Sequence, residues 1–168
     1  MGMLACYLEV DEGMIERLKS QTAEDIFEQL EELEEEEGAE VYDMDKLWDG
    51  LHFILTGVSA VTPLENHPLS EAVEGTASFS EDGEDVFITY VYPERAKEIS
   101  SALNAFDIDK ALGKFVPHVL AENDIYPDIW DDEDADELKQ EMSEAFYGLK
   151  EFYASAAGKG KGVIVSIY

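Results

Sequence analysis

The sequence predicts an α+β fold in a single compact domain spanning residues 1–168, with a small mixed or antiparallel sheet of about three or more strands packed with about seven helices. Three observations carry this. Short apolar or β-branched runs at 3–10, 85–92 and 163–168 have the length and composition of strands. Between them, apolar residues recur at spacings of three and four, as amphipathic helices require. Those helices come in groups rather than one between each pair of strands, which separates α+β from α/β architecture. A chain of 168 residues, 45% of them apolar, suits one domain with a substantial core, and neither repeats nor long linkers interrupt it.

The elements follow in order. Met3-Leu4-Ala5-Cys6-Tyr7-Leu8-Glu9-Val10 is long enough for a buried strand. Asp11 stands where it caps a helix over 12–20, with Met14, Ile15 and Leu18 on one face. Thr22 with Asp25 is a variant capping box. Ile26, Phe27, Leu30 and Leu33 continue it as an amphipathic helix that dissolves into Glu34, Glu35, Glu36, Glu37 and Gly38. Asp43 or Asp45 opens a helix reading Lys46-Leu47-Trp48-Asp49-Gly50-Leu51-His52-Phe53-Ile54-Leu55-Thr56, and Gly57 is its C-cap. That helix is apolar nearly all round and is assigned to the centre of the domain.

A polar loop with Pro63 and Pro68 leads to a short helix over 69–73. Residues 85–92 form the strongest strand, almost wholly β-branched or aromatic; Pro93 ends it and takes the first position of a helix reaching Phe106. Asp107 caps a short helix through Phe115, Pro117 breaks it, and 119–122 add a turn. Ile125, Tyr126, Ile129 and Trp130 anchor the loop 123–130 to the core. The last helix, 135–157, presents Leu138, Met142, Phe146, Leu149 and Tyr153, and Gly158-Lys159-Gly160-Lys161-Gly162 turns the chain into the final strand. The expected core contains Trp48, Leu51, Phe53, Leu55, Val86, Ile88, Val91, Phe146, Leu149 and Val165.

Charge bounds the function. Forty Asp and Glu against 11 Lys and Arg give a formal charge of −29. Such a surface repels nucleic acid phosphates and anionic membranes and attracts basic proteins or cations. Eight Tyr, eight Phe and two Trp are too many aromatics for a disordered acidic tail. Glu exceeds Asp and Lys exceeds Arg, which argues against a halophilic origin of the charge. The single cysteine, Cys6, forms neither an intramolecular disulfide nor a paired-thiol zinc site. The N-terminus lacks the basic and long apolar regions of a signal peptide, Cys6 stands where myristoylation wants Ser or Thr, and no apolar run approaches the roughly 18 residues of a membrane span. The chain is therefore read as cytoplasmic and soluble, with no membrane or nucleic-acid partner.

The helix around His52 is the most distinctive segment. Trp48, His52 and Leu55 fall on one helical face, and Asp49 and Phe53 share the adjoining stripe. In one role His52 is a general base or ligand-binding group, and Asp49 lines the same pocket. In the other, which is preferred, His52 is a core histidine bonded to a backbone or Asp oxygen, while Asp49 satisfies a loop amide. Trp48, Asp49, His52, Tyr126 and Trp130 are the ligand-pocket candidates.

The chain resembles the YfbM-like family of bacterial domains of unknown function. The likeness rests on the Met1-Gly2-Met3 start, Asp45-Lys46-x-Trp48-Asp49-x-Leu51-His52-Phe53-x-Leu55-Thr56-Gly57, Pro68-Leu69-Ser70-x-Ala72-Val73-x-Gly75 and Ile125-Tyr126-Pro127, and it spans essentially the whole chain. It implies a small α+β fold of that type. It implies no reaction and no catalytic residues.

Other motifs are excluded on spacing. In the acid run from Asp131 to Glu137, counted as a calcium loop from Asp132, Glu137 stands where Gly is needed and Ser143 where Glu is needed, so the EF-hand pattern fails. The glycine-lysine run has no Ser or Thr after Lys and is not a phosphate loop. His67 and His118 stand alone beside Pro68 and Pro117 and are assigned to the surface. No metal site or cofactor is expected. Two functions remain. One is a non-enzymatic module of the immunity or inhibitor type that binds a basic protein through an acidic face, with Glu34, Glu35, Glu36, Glu37, Asp131, Asp132, Asp134 and Asp136 as candidate contacts. The alternative is a small-molecule-binding protein or enzyme with a pocket around Asp49, His52 and Tyr126.

Overall fold

A computed structural model describes residues 2–79 and 87–168. Strands β1 (Ala5–Val10), β2 (Val41–Asp45), β3 (Ala77–Ser78), β4 (Phe87–Val91) and β5 (Gly162–Ile167) form one open sheet in the order β2-β1-β5-β4-β3, with every neighbouring pair antiparallel. The central strands β1 and β5 are buried along their whole length, so both read as apolar runs interrupted by one polar residue each, Glu9 and Ser166. They pair from Ala5 opposite Ile167 to Val10 opposite Gly162.

Eight helices are present among the described residues: α1 (Glu12–Leu18), α2 (Ala23–Glu35), α3 (Trp48–Thr56), α4 (Pro68–Glu74), α5 (Pro93–Ala105), α6 (Ile108–Gly113), α7 (Pro117–Glu122) and α8 (Ala135–Lys159). The alternation of strand side chains divides them between two layers. Tyr7, Val163 and Val165 pack into the larger core with α3, α4, α5 and α8, whereas Leu8, Ile88 and Ile164 pack with Ile15, Leu18, Ile26 and Leu30 of α1 and α2. The α+β class and the antiparallel sheet stand as expected, with two more strands and one more helix.

Several boundaries differ for identifiable reasons. Residues 41–45 form edge strand β2 rather than the start of a helix capped by Asp43 or Asp45. Val41, Asp43 and Asp45 face outward and Met44 inward, the alternation of a half-buried strand. The amide of Asp45 donates to Asp43 Oδ1 at 2.8 Å, Asp45 takes φ 62°, and α3 begins only at Trp48, behind a Leu47 that provides no side-chain cap. Asp11 likewise makes no capping bond, whereas Thr22 accepts from the Asp25 amide and Asp107 from the Lys110 amide. Gly57 ends α3 at φ 84°, in the left-handed region that a glycine enters without strain. Pro117 starts α7 at its first turn instead of merely ending α6, which stops at Gly113.

Of the expected core, Trp48, Leu51, Leu55, Ile88, Val91, Phe146, Leu149 and Val165 are buried. Phe53 is only half-buried, packed against the margin of the larger core. Asp85 and Val86, the first two residues of the expected 85–92 strand, lie outside the described residues. Among the described residues no helix is long and apolar enough to cross a membrane.

Candidate functional site

Asp49 and His52 lie in the first and second turns of α3, and both are at most 1% exposed. Asp49 Oδ1 accepts from the Ala60 amide at 2.7 Å and from Ser59 Oγ at 3.0 Å, while Oδ2 accepts from the Tyr126 amide at 2.9 Å. The carboxylate therefore ties two distant loops to one helix. His52 Nδ1 donates to the Val58 carbonyl at 2.8 Å, and Nε2 accepts from Ser70 Oγ at 2.7 Å. Ser70 Oγ in turn accepts from the Leu64 amide at 3.0 Å. Burial lowers the His52 pKa below its ordinary value and favours the neutral ring that this pattern requires.

The aromatic candidates are held just as firmly. Trp48 Nε1 donates to the Met3 carbonyl at 3.0 Å, the Met3 amide donates to Tyr126 Oη at 2.7 Å, and the Trp48 and Tyr126 rings lie 5.5 Å apart. Trp130 is 2% exposed and donates to the Ile125 carbonyl at 2.8 Å. The structure thus brings Trp48, Asp49 and Tyr126 together, with His52 one turn further along α3. It does not gather the five candidates around an open space. Their polar atoms are bonded within the protein, and Trp48 borders a cavity.

That cavity, about 650 Å³, opens beside them between the 60–66 loop, the end of α4 and the β3–β4 edge. Its distinctive residue is Glu74, the last residue of α4, which the sequence reading did not single out. Three carbonyls in the final turn of α4 would otherwise be left without intrahelical partners. Tyr153 Oη donates to Ala72 at 2.9 Å, Tyr7 Oη to Val73 at 2.7 Å and Thr89 Oγ1 to Glu74 at 2.6 Å. Gly75 follows at φ 80°, where a Cβ would stand 2.2 Å from Thr89 Oγ1. The backbone carrying Glu74 is therefore closely specified. Burial, reinforced by the Asp49 charge, pushes the Glu74 carboxyl up to about 8. Glu74 itself is half-buried; nearby Glu71 is buried but pairs with Arg95, whose Nε lies 3.1 Å from both of its oxygens.

The acidic candidates occupy both ends of α8. Glu34 is half-buried and accepts from Cys6 Sγ at 3.4 Å; burial, then Glu34 and Asp43, push that thiol up to about 12, leaving it unreactive. Glu35, Glu36 and Glu37 are exposed, and the last two border a groove with Lys159 and Lys161 at the C-terminal end of α8. Asp131, Asp132, Asp134 and Asp136 are exposed at the other end, where Asp134 caps α8 through the Asp136 and Glu137 amides. Helix α8, 25 residues long, extends about 37 Å.

Edge strand β2 joins them. Glu34 is raised by burial and then by Glu31 and Asp43, and Tyr42 is pushed up to about 12 by burial, Asp43 and Glu144. Glu141 is raised by partial burial and then by Glu133, Glu137, Glu144 and Asp45. The carboxylates acting on these three groups run from α2 across β2 to α8, and those in the middle were not among the expected contacts. His118 is on the surface as expected, but it does not stand alone. It lies in α7 rather than a loop, with Nδ1 2.8 Å from Asp131 and Nε2 3.2 Å from Glu122, and those carboxylates raise its pKa. Among the described residues no group of three or more His, Cys, Asp and Glu side chains is placed to hold a metal ion.

Comparison with known proteins returns the same fold. A family described as a domain of unknown function, DUF1877, matches residues 1–166. Protein YfbM of Escherichia coli strain K12 is 34% identical over 129 residues, which cover 77% of this chain and 75% of that protein. The crystal structure of YfbM from Escherichia coli, a protein of unknown function, matches with a TM-score of 0.78 at 26% identity, covering 98% of this chain and 99% of that one.

Proposed function

The chain belongs to the DUF1877 family, and on that premise we propose that it is a non-enzymatic binding module, of the immunity or inhibitor type, that engages a basic protein through its acidic face. The observation that carries this reading is the acidic surface running from Glu31 and Glu34 through Asp43 and Asp45 to Glu144, Glu141, Glu137 and Glu133. Like charges gathered this closely pay a repulsive cost in the free protein, visible at Glu34 and Glu141, which burial and then neighbouring carboxylates raise, and a partner's Arg and Lys side chains relieve it. The surface sits on a sheet edge and a long helix, so it is presented without ordering a loop. Its field, set by a net charge of −29, steers a basic partner into contact. The same acids on β2 discourage sheet-edge pairing with neutral chains. A lone buried thiol suits the cytoplasm, where this reading places the protein.

The test begins with capture of partners from native lysate at low salt, followed by purification of the captured protein and measurement of association rates. Raising salt from about 0.05 to 0.3 M is expected to slow association about tenfold or more, because the screening length shrinks to a few ångströms. Reversal of Asp43, Glu141 and Glu144 to Lys is expected to slow association more than it speeds dissociation. Association that ignores both salt and charge reversal refutes the reading.

A further inference from the structure

We propose that the cavity between α4 and the β3–β4 edge binds a small organic amine, its ammonium group paired with Glu74 and its apolar body lying against Trp48, Leu64, Phe87 and Ile167. The volume of about 650 Å³ falls within the usual range for small-molecule sites. The described lining contains no Lys, Arg or His, and its three ionisable residues are Glu65, Glu71 and Glu74. Each has a different status. Glu65 is exposed on the 60–66 loop, and Glu71 is neutralised by Arg95. Among the described residues nothing pairs with the Glu74 carboxyl.

Among the described residues, the charged and titratable groups around it are Asp49 from α3, Glu71 with Arg95 behind it, Glu65 from the loop, and Tyr7 from β1. Glu74 is therefore a carboxyl in a partly dry, net negative enclosure, and an anion entering that space meets only repulsion. An ammonium group supplies the missing charge and donors. Trp48 adds an aromatic wall favourable to a cation. The apolar part of the lining includes Phe87 and Val61, which are 55% and 81% exposed. An apolar ligand body covers surface that the free protein leaves in water. The carbonyl bonds from Tyr7, Tyr153 and Thr89 keep the end of α4 in place, so little order is lost on binding.

Isothermal titration calorimetry on the full chain tests this with phenethylamine and hexylamine, against neutral 2-phenylethanol and anionic 3-phenylpropionate. Saturable binding is expected for the amines alone. Glu74→Gln is expected to weaken it about 10- to 100-fold, as for loss of a charge-assisted pair, while Glu65→Gln changes it by less than about threefold. Because the empty Glu74 carboxyl is largely protonated at neutral pH, pairing expels its proton. Titrations in two buffers of different ionisation enthalpy should register release of about one proton by the wild type near pH 7 and none by the Gln variant. Circular dichroism confirms that the variant is folded. Equal binding of 2-phenylethanol, amine binding unchanged in a folded Gln variant, or no saturable amine binding in the millimolar range each overturns the proposal.

Discussion

Replacing Glu74 by Gln removes one titration at nearly constant volume, so its effect on stability should depend on pH in a predictable direction. In the native state the carboxyl keeps its proton to about pH 8, against an ordinary value of 4.5, because burial and the Asp49 charge oppose ionisation. Between those values the native protein binds more protons at this position than the unfolded chain does. Wild-type stability therefore falls as pH rises through that window, and none of the Glu74 contribution is lost below it. At about 1.4 kcal/mol for each tenfold change in proton activity, the full span corresponds to about 5 kcal/mol. Water entering the cavity screens the charge, and the expected effect is about 3 kcal/mol. Urea denaturation of both proteins at about pH 5, 7 and 9 measures it. The two should be nearly equal in stability near pH 5, and the Gln variant should be about 3 kcal/mol more stable near pH 9. A difference that stays constant within about 0.5 kcal/mol across the series refutes the assignment of a half-buried, unpaired carboxyl to Glu74.

Two further outcomes follow from α3. Trp48→Ala should lower stability by about 3–5 kcal/mol through lost burial, a residual cavity and loss of the bond to the Met3 carbonyl, and a loss below about 1 kcal/mol in denaturant titration would contradict the central packing of that helix. His52→Gln should be destabilising at neutral pH, but the gap should narrow as pH falls below 6.5. There the unfolded wild-type chain takes up a proton that the buried native ring resists, so wild-type stability declines while the variant is unaffected at this position. A gap that is the same on both sides of 6.5 in pH-resolved unfolding would contradict the neutral, doubly bonded ring.

Local pattern was enough to locate β1, β5 and α8, because a strand buried on both faces is a nearly continuous apolar run and a long helix repeats its buried face every three or four residues. The Thr22 and Asp107 caps and the Gly57 C-cap were legible for a similar reason: each bond closes within four residues. Edge strand β2 was not, since its outward acids have the same letters as a helix cap and only pairing with β1 distinguishes the two. Strand β3 is two residues long and exists through its register with Thr89 and Tyr90. The pairing of Trp48 with Asp49 marked a distinctive helix, but whether Asp49 faced a ligand or a backbone depended on the Tyr126 amide, 77 positions away. Glu74 was one acid among forty. Its charge was present in the sequence, but its enclosure is not a property of any neighbouring residue. Tyr7, Thr89 and Tyr153, from three separate elements, hold the end of α4 over the cavity, and desolvation depends on that arrangement in space rather than on order along the chain.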